Sequence, residues 1–219
     1  MNVRAHFEEE KRLVREDVLR MGVRVEEDLR KALSAFKNRD RALAEEVKAD
    51  DPVVNQYQVV VEDRCASLIA TQQPVAQDLR WLVSSIKIVD ELERIGDHAV
   101  HLAKASLKLE GEPYIAPLGN LERMAETGCA MIRGAVEAYL ELDAAKARSV
   151  AAMDDAVDAD HKALMAELLV YLRDNPDKAR QGTKIIQTSG FLERLGDHVT
   201  NICEAVLYCI EGRHVELNE

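Results

Sequence analysis

The sequence predicts an all-α fold of two tandem three-helix bundles related by internal duplication, and three observations carry that reading. Helix breakers are few, with 10 glycines and 5 prolines in 219 residues, while Leu, Ala, Glu and Arg are abundant. Strong helix formers with rare interruptions give long helices. The heptapeptide Leu92-Glu93-Arg94-Ile95-Gly96-Asp97-His98 returns one hundred residues later as Leu192-Glu193-Arg194-Leu195-Gly196-Asp197-His198, with one change. A repeat this close argues for duplication of a whole unit. Finally, apolar residues recur at three- and four-residue steps between turn signals, the period of helices buried on one face.

Residues 5–37 form a first helix, with Val14, Val18, Met21, Val25, Leu29, Ala32, Leu33 and Phe36 as its buried stripe. Asp40 caps a second helix over 41–69. Within it Asp50-Asp51-Pro52 should produce a kink or a restart, because proline removes an internal hydrogen bond but suits a first turn. Thr71-Gln72-Gln73-Pro74 turns the chain into a third helix over 75–109, buried through Leu79, Leu82, Val83, Ile86, Val89, Leu92, Ile95, Ala99 and Leu102. Gly96 inside that helix costs about 1 kcal/mol relative to alanine, which points to close approach by a neighbour. Residues 110–120 hold two prolines and two glycines and mark the boundary between halves 1–112 and 113–219. The second half repeats the plan. A fourth helix covers 121–142, a fifth runs from an Asp143 cap to 172, and Asn175-Pro176 caps and opens a sixth that carries the second motif to Gly212.

A formal charge of −11 excludes general nucleic-acid binding and adhesion to anionic lipid through the chain's own field. No apolar run approaches the roughly 20 residues of a bilayer span, and acids follow the first residues where a signal peptide would be apolar. A cytoplasmic protein without direct membrane insertion is expected. Cys65, Cys129, Cys203 and Cys209 form no C-x-x-C pair and read as buried thiols in a reducing compartment. No Walker loop, H-E-x-x-H, G-x-S-x-G or nucleophile–histidine arrangement occurs, so the chain is expected not to be an enzyme.

The chemistry is concentrated in acid pairs four residues apart, which stack on one helix face. Glu93/Asp97 and Glu193/Asp197 lie in the motifs, and Asp51/Asn55 and Asp154/Asp158 on the preceding helices. Like charges at this spacing cost a few tenths of a kcal/mol, so something positive is expected against them. If the helices of one half lie side by side, four oxygen-bearing side chains converge. Such sulfur-free sets suit Mg²⁺, Ca²⁺, Mn²⁺ or iron over copper or zinc. An acid–arginine network is the alternative, because Arg94 stands within three or four residues of both Asp97 and Asp90. His98 and His198 sit about 100° round the helix from the aspartates and read as packing or supporting residues. A ferritin-like di-metal centre would need Glu-x-x-His twice, and neither motif provides it.

The two heptapeptides, with Gln73-Pro74-Val75-Ala76-Gln77-Asp78-Leu79-Arg80 and Thr200-Asn201-Ile202-Cys203-Glu204, resemble the PhoU family, the accessory proteins of phosphate-specific transport, over nearly the whole chain. The resemblance implies tandem three-helix bundles and a cytoplasmic regulator that keeps the phosphate-starvation response off when phosphate is plentiful. Its implied partners are a phosphate ABC transporter ATPase and a sensor histidine kinase, and a homodimer is expected. It also implies metal clusters on E/D-x-x-x-D motifs, with Fe, Zn, Mn or Mg as the ion. Glu93/Asp97, Glu193/Asp197 and Asp154/Asp158 match that pattern directly. Asp51/Asn55 departs from it: an amide oxygen can coordinate but brings no charge, so the first-half site should bind more weakly. A helical metal-storage or metal-dependent protein and a metal-free adaptor are the alternative readings.

Overall fold

The computed structural model describes residues 3–109, 113–115 and 118–218, and every regular element among them is helical. Helices α1 (Val3–Asn38), α2 (Arg41–Gln72) and α3 (Ala76–Lys108) form the first unit. The second contains α4 (Gly119–Glu141), α5 (Ala144–Ala151), α6 (Asp154–Asp174), a 3₁₀ turn at Pro176–Lys178 and α7 (Ala179–Glu211). Of the expected boundary at 110–120, residues 110–112, 116 and 117 lie outside the described residues. No helix among the described residues is long and apolar enough to cross a membrane.

Local signals account for several helix ends. Asp40 accepts from the Leu43 amide at 3.1 Å, and Asp143 accepts from Ala145 and Lys146, both at 2.9 Å; each satisfies amides that the first turn leaves open. Gly212 closes α7 in the left-handed region at φ 72°, where glycine carries no steric penalty. Asn175 behaves differently from expectation. Its side chain donates to the Tyr171 carbonyl at 2.9 Å, so it closes α6 instead of capping the 3₁₀ turn after it.

Two further differences concern the second helix of each unit. The expected restart at Pro52 is not found, and α2 is helical from end to end. Packing of its buried residues Val47, Val54 and Val61 outweighs the one internal hydrogen bond that proline removes. The interruption falls instead in the second half, where no proline stands at the matching position. There the chain tightens at Ala152 and Met153, with Met153 N–H bonding Val150 O at 3.0 Å, and the expected fifth helix becomes α5 and α6.

The α1 stripe is buried as read except at half-buried Leu33, with Val14, Val18, Met21, Val25, Leu29, Ala32 and Phe36 all fully enclosed. Helix α3 is buried on a wider and partly different face than its expected stripe: Leu79 is exposed, and Val83 and Ile86 are only half-buried. It packs on α1 and α2 and also on α7 of the other unit, which encloses Trp81, Ser84, Ser85 and Ile88 as well. The serines enter the core because each is satisfied. Ser84 donates to Ala205 O at 2.9 Å, and Ser85 donates to Trp81 O at 2.8 Å and shares a 2.6 Å hydrogen bond with Tyr139. Trp81 and Tyr139 stack across the units with ring centroids 5.8 Å apart. With α1 against α4 as well, the two units share one continuous apolar core.

A fragment of residues 1–112 would expose the α3 and α1 faces that this shared core covers. By circular dichroism it should stay helical yet melt well below the full chain. Equal melting temperatures would show that the contacts between units contribute nothing to stability.

Candidate metal centre

The first turn of α6 and the middle of α7 build the second-half site. Asp154 opens α6 and Asp158 follows one turn later, while Glu193 and Asp197 stand one turn apart on α7. With Asp155 they line a cleft of about 570 Å³. Gly196 explains how they approach so closely. A Cβ at that position would overlap Asp154 Oδ1, so the absence of a side chain lets the carboxylate lie against α7. That oxygen is buried and has no hydrogen-bond partner, a costly state for a carboxylate.

Electrostatics record the strain. Burial first, then the charges of Asp197, Asp158, Glu193 and Asp155, push the Asp154 carboxyl up to about 7. Glu193 is raised by burial and by Asp197, and Asp197 by burial and by Asp158. Asp158 pairs with Lys162 at 2.8 Å on the exposed face of α6, and Arg194 lowers Glu193 and Asp197 in part.

The first-half set is looser. Val54, not an acid, faces Gly96, and a Cβ there would stand 3.2 Å from Val54 Cγ1. The Glu93 carboxyl is raised by burial, then by Asp97, Asp90 and Asp51, which brings Asp51 within electrostatic reach of the motif. Asn55 is half-buried one turn further along α2. Among the described residues, no three His, Cys, Asp or Glu side chains close on a single point as a bound ion requires. The acids share a cleft and their mutual repulsion, and in the second half they leave one carboxylate oxygen unsatisfied.

The chemistry of those side chains suits a hard cation, while their placement in this structure does not enclose one. The set is all oxygen, it carries concentrated negative charge, and the orphaned Asp154 Oδ1 is an acceptor awaiting a partner. Arg148, which also lines the cleft, does not supply that partner but pairs with Glu211 at 2.6 Å. Arg94 turns to Asp90 at 3.8 Å, and Gly190 stands where the copy of Asp90 would be, so the arrangement is not repeated in the second half.

The motif histidines take a different place. His98 and His198 face each other where α3 meets α7, with ring centroids 5.3 Å apart. Phe191 packs on His101 at 4.8 Å and on His98 at 5.9 Å, and His198 Nδ1 bonds Glu91 at 2.6 Å. Burial, then His198 and His101, lowers His98 to about 4. They join the two units, which agrees with a packing role.

Sequence reasoning missed a third meeting of acids. Asp28, only 3% exposed, faces Asp50 across α1 and α2, and burial followed by the charge of Asp50 pushes it up to about 7. Arg24 and Lys31 flank Asp50 at 3.2 and 3.5 Å. The signal was present: Asp28 lies on the apolar stripe, three residues after Val25 and four before Ala32.

Comparison with known proteins decides the family. The family model described as PhoU domain matches twice, at residues 18–106 and 121–206. The chain belongs to the PhoU family. A Clostridium acetobutylicum protein named phosphate-specific transport system accessory protein PhoU homolog is 36% identical over 214 residues, covering 97% of this chain and 98% of that one. A Streptococcus pneumoniae protein of the same name is 33% identical, covering 99% and 100%. The crystal structure of Pseudomonas aeruginosa PhoU superposes with a TM-score of 0.90 at 34% identity, covering 94% of this chain and 100% of that one. The structure of the phosphate transport system regulatory protein PhoU from Streptococcus pneumoniae gives 0.89 at 32%.

The raised Asp154 carboxyl makes stability depend on pH. A folded value above the ordinary 3.8 means that its contribution is full below that value and is lost as pH rises through about 7. Asp154→Asn removes this titration. In metal-free buffer the variant's melting temperature should gain on the parent between about pH 4 and pH 7 and keep that lead at higher pH. A lead that is constant from acid to neutral pH would show that Asp154 titrates normally.

Proposed function

We propose that this chain is a cytoplasmic regulator of phosphate uptake and of phosphate-starvation signalling. It acts by binding other proteins, the ATPase of a phosphate ABC transporter and a sensor histidine kinase, and carboxylate sites on each bundle hold divalent or iron ions. The observation that carries the regulatory reading is the end-to-end match to proteins named as phosphate-transport accessory proteins, in both repeats. The metal reading is supported by the buried, unpartnered Asp154 oxygen in an acid-lined cleft. A bound cation would supply positive charge to Asp154, Asp158, Glu193 and Asp197. The chain's own part is to bring α6 and α7 together through Gly196 and to exclude water from one carboxylate oxygen. In the first half Asp51, Asn55, Glu93 and Asp97 offer one charge fewer and a looser set. A metal-free adaptor is favoured by the ion pairs of Asp90 with Arg94 and of Asp158 with Lys162.

Elemental analysis after incubation with Mn²⁺, Fe or Zn²⁺ and desalting separates these readings. Retained metal should fall on the order of tenfold or more per ligand in Glu193→Gln and Asp197→Asn. Gly196→Ala, which expels Asp154 from the cleft, should lower retention while leaving helicity unchanged. A parent protein that emerges metal-free favours the adaptor. In cells, deletion should turn on a starvation-promoter reporter in ample phosphate, and restoring the chain should silence it. An unchanged reporter in a deletion strain lacking a second copy would end the regulatory reading.

A further inference from the structure

We propose that Arg15 and Arg80, with Lys11 beside them, form a binding site for a small, doubly charged oxyanion where α1 and α3 meet the end of α7. The inference does not depend on the acid clefts.

The three cations gather around Trp81. Lys11 and Arg15 stand one turn apart on α1, and both approach the Trp81 ring, with Lys11 Nζ 5.2 Å and Arg15 Cζ 5.6 Å from its centroid. Arg80 precedes Trp81 on α3. Its guanidinium lies against the C-terminal end of α7, where a Cβ on Gly212 would come within 3.3 Å of Arg80 Cζ. Cys209, one turn back along α7, feels all three. Burial raises its thiol, and the charges of Arg80, Lys11 and Arg15 pull it back part of the way. Positive charge is therefore concentrated at the joint between units, beside the stack of Trp81 on Tyr139.

Among the described residues neither arginine pairs with an acid. The positions three and four places either side of Arg15 hold Lys11, Arg12, Val18 and Leu19, and those around Arg80 hold Ala76, Gln77, Val83 and Ser84. Neither helix therefore supplies an ion pair of its own. The acids nearest in sequence are engaged elsewhere. Glu10 and Asp17 pair with Arg64 at 3.0 and 3.7 Å, Glu16 with Arg12, Asp78 with Lys11 at 2.8 Å, and Glu211 with Arg148 and Arg213 at 2.6 and 3.0 Å. Both free guanidinium groups are half-buried, and the Nε of each is shut off from water without a hydrogen-bond partner. Trp81, only 2% exposed, adds a third such donor in its indole N–H. Buried donors ordinarily find an acceptor. In a chain with 40 acids and 29 bases that leaves these donors unanswered, the acceptor is expected from outside. The negative end of α7 helps to place Arg80 but gives Arg15 nothing. With Lys11 neutralised by Asp78, two positive charges remain, which a dianion balances. The guanidinium fork matches the oxygen spacing of phosphate and its analogues. Such an anion ties α1 and α3 of the first unit to the last helix of the second.

Trp81 is the only tryptophan in the chain, so its fluorescence reports on the site directly. In metal-free buffer the full chain is titrated with inorganic phosphate and with sulfate, each against sodium chloride at matched ionic strength. Arg15→Gln, Arg80→Gln and Arg173→Gln are treated alike, the last as a control whose arginine pairs with Asp174 on α6. Phosphate should produce a saturable change in the parent that chloride does not, and should raise its melting temperature. Arg15→Gln and Arg80→Gln should each weaken binding about tenfold or more, as loss of a hydrogen bond to a charged group requires. Arg173→Gln should bind as the parent does. Sulfate binding as tightly as phosphate supports a site for divalent oxyanions in general, and weaker sulfate binding supports one selective for phosphate. Absence of a saturable change with either anion overturns the proposal, as does equal affinity in the parent and both site variants. Arg15→Lys and Arg80→Lys keep the charge without the fork, so they carry the same comparison if the glutamine variants fold poorly.

Discussion

Helices α3 and α7 pack against each other along the stretches that carry the repeated motif, and most of the architecture follows from that contact. Residues 97 and 98, and likewise 197 and 198, are neighbours in sequence but about 100° apart around the helix. One heptapeptide therefore faces two ways. Its histidine turns inward to meet its copy at the joint between units, and its acids turn toward the second helix of their own unit. Whatever fixes the rotation of α3 against α7 also fixes where the carboxylates point. The serine and tyrosine hydrogen bonds near Trp81, together with the enclosed leucines, hold that rotation.

The sequence revealed those features whose causes are local. The α1 stripe, the Asp40 and Asp143 caps and the Gly212 stop each depend on a few adjacent residues, and each stands where expected. Helix α3 was read too narrowly because a single-faced stripe assumes a single partner, whereas α3 has partners on two sides and admits Ser84 and Ser85 once their hydroxyls are satisfied from elsewhere. The restart at Pro52 failed for a related reason: tertiary packing decides whether one missing hydrogen bond breaks a helix. At the site, the pairing of acids along each helix was legible from spacing. The seating of Asp154 on Gly196 was half legible, since a mid-helix glycine announces an approach without naming what approaches. The hydrogen bond that Asn218 makes to Asp197 after the chain turns back has no signature in the motif at all.

The halves are similar in plan and unequal in detail. Where α7 admits a carboxylate against its glycine, α3 admits the apolar Val54, and four residues on, where the second half places Asp158, the first places Gln58. Duplication preserved the scaffold while the two clefts diverged in charge and tightness.

The break between α5 and α6 bears on that divergence through the electrostatics of helix ends. Because α6 begins at Asp154, the open amides of its first turn present roughly half a positive elementary charge to the acids beside them. In the first half Asp51 sits in the interior of an uninterrupted helix, where no such end exists. The second half gathers four carboxylates and has a helix terminus to offset part of their field. The first half has three and no terminus, and the neutral amide of Asn55 keeps its charge at a level the unbroken α2 can sustain.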